Sequence, residues 1–178
     1  MNLSGAGGRP SFPAVTRQRE PTMTTTISGA LAALGHTLPK PSAPAANYVS
    51  TATAGNLLFV SGQISLPDLD PAFGGHLGAD LDVAQGKRAA EAAGLAVLAQ
   101  IAAATGDRLD KVRRVVRLGV FVASAPGFTR QPEVANGASD LIAAVFGEAG
   151  RHARAAVGVA ALPRGAAVEV EAIVELEG

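Results

Sequence analysis

Cysteine is absent from the 178 residues, which excludes disulfides, thiolate catalysis and cysteine metal sites. Tryptophan is absent too, tyrosine occurs once and aromatics amount to 4%, so a core must be built from Ala, Val, Leu and Ile. Charge is sparse, at 17% of residues, and fifteen basic side chains cancel fifteen acidic ones. Such a chain has no electrostatic footprint for nucleic acid or an anionic membrane surface. No apolar run reaches the roughly 18 residues that a membrane span needs. The three histidines, His36, His76 and His152, show neither i,i+4 spacing nor a metal-type cluster, so each reads as a loop or surface residue and not a ligand. A soluble, cytoplasmic protein is expected.

What is present is apolar and small. At 48% hydrophobic residues the chain can bury a sizeable core, and its length suits one domain. The bias towards Ala and Gly points to helices lying close on a sheet, and the low charge to apolar surface shared between subunits.

Residues 1–25 are rich in Gly, Pro, Ser, Thr and Arg without apolar periodicity, and read as a disordered leader ahead of a domain at 26–178. Ile27, Ala30, Leu31 and Leu34 recur at helical spacing up to Gly35. Pro39, Pro41 and Pro44 force an extended connection. Tyr48-Val49 begins a candidate strand. Asn56–Val60 is a clearer one, which Ser61-Gly62-Gln63 closes, and 67–78 is a loop. The longest helical pattern runs from a cap at Asp82 to Ala104, with Gly106-Asp107 as its stop. Alternation predicts a strand over 111–123, and a second long helix spans about 131–147.

The stretch from Gly150 to Glu177 reads as two strands turning at Leu162-Pro163-Arg164-Gly165 and paired antiparallel. In the second, Val168, Val170, Ala172 and Val174 alternate with Glu169, Glu171, Ile173 and Glu175. Pairing would bring the Arg154 guanidinium near a carboxylate in mid-sheet, the fork and base that chemistry on a small carboxylate substrate needs. The competing interpretation is a wet strand face with Arg154 as a surface partner. The order of elements predicts an α+β domain, one mostly antiparallel sheet with two helices on one face. Gly74-Gly75 lacks the Lys-Ser/Thr of a phosphate loop, and Ser61-Gly62 lacks a nucleophile elbow.

The segments P-A-A-N-Y-V ending at Val49, L-L-F-V-S-G-Q-I at 57–64 and H-A-R-A-A-V-G-V-A-A-L-P-R-G-A-A-V-E-V-E-A-I at 152–173 together resemble the reactive-intermediate deaminase family (Rid or YjgF, called endoribonuclease L-PSP in older naming). The resemblance covers the chain from about Ile27 onward. It implies a chorismate-mutase-like α+β fold, a homotrimer, and sites in the clefts between subunits that act on 2-imino and 2-oxo acids without a cofactor. By the same resemblance Arg154 clamps the substrate carboxylate and Glu169 positions the hydrolytic water. Tyr48, Ser61, Gly62 and Pro163 line the pocket. Ala156 stands where many members carry a cysteine, Arg151-His152 replaces an aromatic-Pro pair, and a family asparagine aligns with either Asn136 or Ser139. The implied activity is hydrolytic deamination of 2-imino or enamine acids to 2-oxo acids. A non-catalytic small-carboxylate-binding trimer is the main alternative. A ribonuclease or translation inhibitor is a weaker one, because the chain has neither a basic face nor a histidine pair.

Overall fold

The computed structural model describes residues 25–44 and 46–178. The leader expected at 1–25 therefore lies outside the described residues, apart from Thr25. Eight elements follow in order. They are α1 (Ile27–Ala33), β1 (Thr51–Ala54), β2 (Leu57–Ile64), α2 (Val83–Thr105), β3 (Val112–Ala123), α3 (Gln131–Phe146), β4 (Ala153–Val159) and β5 (Val168–Leu176). The five strands form one sheet in the order β1-β2-β5-β3-β4. Every pairing is antiparallel except β3 with β4. The expected α+β sheet with two long helices on one face is what the chain forms.

Local chemistry explains the ends of the elements. Thr26 caps α1 by accepting from the Gly29 N–H at 3.0 Å. The Asp107 carboxylate accepts from the Ser28 N–H at 2.9 Å and ties α1 to the turn after α2. Asp82 opens α2 with a capping box, its carboxylate taking the Gln85 N–H while the Gln85 side chain takes the Asp82 N–H. Gly106 ends α2 in the left-handed conformation.

The terminal hairpin expected from 150–177 does not form. β5 lies between β2 and β3, and β4 pairs instead with β3 in parallel, Leu118 opposite Arg154. Two physical reasons converge. The helix α3 carries the chain back to the start of β3, so the strand after it runs parallel, as a crossover requires. The second reason is that Val168, Val170, Ala172 and Val174 are all almost wholly buried, which suits the middle of a sheet. Two smaller corrections concern the N-terminal strands. The strand expected from Tyr48 begins at Thr51, and β2 does not close at Ser61 but runs on to Ile64 through a bulge. Between Val60 and Gln63 it takes three steps where β5 takes two, from Ala172 to Val170.

α2 packs on β2 and β5, α3 on β3 and β4, and the two helices pack on each other. They lie very close where glycine faces backbone. A Cβ on Gly137 would stand 2.0 Å from the Lys87 carbonyl oxygen, whereas one on Gly94 would come no nearer than 3.3 Å, to Ala138. Gly137→Ala is therefore expected to lower stability by about 1–3 kcal/mol through overpacking. Gly94→Ala, which gains about 1 kcal/mol of helix propensity, should be close to neutral. Thermal denaturation of the two variants checks this, and equal melting temperatures would count against the packing described.

Candidate functional site

Glu169 sits on β5, on the sheet face away from the helices. Its side chain lies across the bulge of β2, so that a Cβ on Gly62 would meet the Glu169 Oε1 at 1.8 Å. A larger residue would turn the flexible Glu169 side chain aside. The bulge is held from within: the Gln63 amide donates to the Ser61 and Gly62 carbonyls at 3.0 and 3.2 Å, and the Ser61 hydroxyl donates to the Val49 carbonyl at 2.8 Å. Gln63 Oε1 in turn accepts from the Ser42 hydroxyl at 3.0 Å, and Gln100 on α2 donates to the Ser42 carbonyl at 2.9 Å. This buried network pins the proline-rich segment before β1 to both sheet and helix. Gln63 and Gln100 were not among the expected site residues. A glutamine in the apolar run Leu98–Ala102 of α2 is the signal that marks the second.

Three glutamates share the open face of β5, and two are paired. Arg117 donates to Glu171 at 3.0 Å, and Glu175 takes Asn56 at 3.0 Å and Arg113 at 3.4 Å. Glu169 has neither hydrogen bond nor ion pair among the described residues. Burial raises its carboxyl pKa above the ordinary glutamate value, and the neighbouring Glu171 charge adds to the shift. It lines a cavity of about 680 Å³ together with Tyr48, Gly62 and Pro163. Ser61 is not on the lining of this cavity but in a depression of the same open face with Phe59, Glu171 and Ile173.

Arg154 occupies a different place. It lies on the edge strand β4, opposite Leu118, and so points to the helix-covered face. Its Nη1 donates to Asn136 Oδ1 and to Ser139 Oγ, each at 2.9 Å, and Nη2 donates to the Pro132 carbonyl at 3.1 Å. Three of five N–H donors are thus spent on α3. Nε–H and one Nη2–H have no partner among the described residues, which is the number that a carboxylate fork takes. The alignment ambiguity between Asn136 and Ser139 resolves into both residues holding one nitrogen. Ala156, two residues on, faces the core beside Val120.

The expected site residues therefore divide. Tyr48, Gly62, Pro163 and Glu169 meet at one cavity, while Arg154 and Ala156 stand two strands away, roughly 10 Å in the hydrogen-bonding direction, and on the opposite face. The Arg–Glu pair expected across adjacent strands does not exist within one chain, because β3 separates β4 from β5. Among the described residues no group of three or more His, Asp or Glu could hold a metal ion. No helix among them is long and apolar enough to cross a membrane.

His152 is more than a surface histidine. Its Nε2 lies 3.0 Å from Ser139 Oγ, and its Nδ1 lies 2.6 Å from the Gly150 carbonyl oxygen. A carbonyl only accepts, so Nδ1 carries a proton. Ser139 Oγ accepts from Arg154 and also bonds Nε2, so one hydroxyl joins the guanidinium to the imidazole. The chain Arg154 to Ser139 to His152 to Gly150 thus holds an Nδ1–H imidazole behind the guanidinium. ¹⁵N NMR of the imidazoles at pH 7.5, with His152→Gln used for assignment, should find a protonated Nδ1 at this position. An Nδ1 without a proton there would contradict the relay.

Comparison with known proteins agrees with this architecture. Residues 39–176 match the family described as Endoribonuclease L-PSP. Protein TCP17 of Trypanosoma cruzi is 57% identical over 159 residues, spanning 86% of this chain and 99% of that one. The crystal structure of Atu1372 from Agrobacterium tumefaciens, a protein of unknown function, is 52% identical with a TM-score of 0.78, covering 85% of this chain and 94% of that one. RidA from an Antarctic Psychrobacter is 28% identical with a TM-score of 0.50, covering 76% and 94%. By its sequence match and by its fold, the chain belongs to the Endoribonuclease L-PSP family, the YjgF/Rid proteins.

Proposed function

We propose that the protein hydrolyses 2-imino or enamine acids to 2-oxo acids and ammonia, in clefts where Arg154 of one copy meets Glu169 of another. The observation that carries this reading is the Arg154 guanidinium, oriented by three acceptors on α3 and keeping two donors for a carboxylate. Glu169 supplies the second half: a desolvated carboxylate with a raised pKa, unpaired in its cavity, is poised to take a proton from water. Neither group can reach one small molecule with the other inside a single chain. A second copy supplies what is missing, and a homotrimer closes the arrangement in a ring. The open sheet face offers apolar surface for such contact, with Phe59 and Val157 both exposed.

In this reading the substrate carboxylate binds the Arg154 fork, which sets the C=N carbon beside Glu169. Water held by ionised Glu169 attacks that carbon, and a proton passes to the nitrogen. The C–N bond of the resulting carbinolamine breaks, so one imine and one water give one 2-oxo acid and one ammonia. The uncatalysed reaction already proceeds, so positioning and general base help suffice. The family description names an endoribonuclease, but balanced charge and the lack of a histidine pair give RNA cleavage no support here.

Two outcomes follow, read as 2-oxo acid release from freshly generated imines. Arg154→Ala should lose about 10²-fold or more in kcat/KM, since a charge-assisted bidentate pair is removed. Parental activity in that variant would reject the assignment. Glu169→Gln should lower kcat by about 10²- to 10⁴-fold, with the parent's rate rising with pH through a pKa above the ordinary glutamate value. The sign for stability is opposite. A raised carboxyl pKa means that the native state favours the protonated form, so folding stability falls as pH rises through the ordinary glutamate value to the raised one. Glu169→Gln removes that loss and should melt no lower than the parent at pH 7.5, and higher relative to it than at pH 4.

A further inference from the structure

Resting on the deaminase reading, we infer that the substrate carries a large apolar side chain, and that the cavity beside Glu169 is the subsite receiving it. The space is out of proportion to a three-carbon imine. At about 680 Å³ it lies within the range of roughly 300–1,000 Å³ that encloses drug-sized ligands. A methyl group would leave nearly all of it empty, with apolar walls facing water.

The walls indicate what fills it. Ile64, Leu66, Phe73, Leu95 and Pro163 line the cavity, and so does Leu69, which at 77% exposure is the most exposed large hydrophobic residue among those described. Two polar groups on the lining are engaged with each other: Ser42 bonds Gln63, and Gln63 also holds the bulge. Glu169 is the only acidic lining residue, and it is assigned to the reaction. Lys40 and Arg164 are the two cations, Arg164 being paired with Asp68. Two cations disfavour a lysine- or arginine-like side chain. A branched or aromatic hydrocarbon suits the wall that Ile64, Leu66, Leu69, Phe73 and Leu95 form.

The test separates this inference from the activity it rests on. The full-length protein is given imines generated from alanine, leucine and phenylalanine. Consumption of none of them would contradict the deaminase reading. With turnover, kcat/KM is expected to be at least about tenfold higher for the leucine- or phenylalanine-derived imine than for the alanine-derived one. Equal values overturn the subsite. Ala96→Phe, which fills the cavity from α2, should collapse the large-to-small ratio towards one. Calorimetric titration with phenylpyruvate and with pyruvate examines the same subsite without catalysis. Tighter binding of phenylpyruvate by at least about tenfold, abolished by Ala96→Phe, is expected. Equal affinities, as would follow if residues 1–24 or a second copy filled the space, sink the inference whatever the imine assay gives.

Discussion

The Glu169 carboxylate rests on the bare backbone of Gly62, and much of the molecule is arranged to make that contact. A flat strand would present a side chain there. The extra residue in β2 turns the strand, glycine leaves the room, and the buried Gln63 amide ties the two carbonyls of the bulge. Ser42 and Gln100 then lock the preceding loop against it. The carboxylate ends half-buried beside a second negative charge, which is unfavourable for folding and useful for a base. Nothing in the described chain neutralises it, while its two neighbours on the strand are both paired.

Sheet topology sets the second constraint. Placing β5 in the centre buries four small aliphatic side chains in the core and gives the glutamates to the open face. The crossover through α3 places Arg154 on the far edge and on the covered side, where that same helix supplies its three acceptors. One chain thus carries the Arg154 guanidinium and the Glu169 carboxylate on opposite faces of its sheet. In the proposed assembly the two groups of different copies face one another, which gives the exposed apolar face of the sheet a reason to exist.

Most of the elements could be read from the sequence because local chemistry dictates them. The Asp82 capping box, the Gly106 stop and the strict alternation of β5 need only a few adjacent residues. Strand order could not be read this way. The stretch from Gly150 to Glu177 looks like a hairpin because a Pro-Arg-Gly turn joins two extended segments, and nothing within it reveals that β3 will come between them. The bulge at Ser61-Gly62 was invisible for a related reason, since it depends on what crosses the strand. Residues near Glu169 were identifiable as a set by resemblance. The Ser139–His152 relay was not, because the pairing joins α3 to the start of β4 and His152 alone carries no pattern.

The most direct test of a site shared between copies is complementation. Arg154→Ala and Glu169→Gln chains, each inactive alone, are unfolded, mixed in equal amounts and refolded together. If one copy gives the guanidinium and another the carboxylate, about a quarter of the sites in a randomly mixed ring are intact, and imine hydrolysis should return to about that fraction of the parental rate. If the mixed assemblies form and stay as inactive as the separate variants, the two groups do not work across a shared cleft and the account fails.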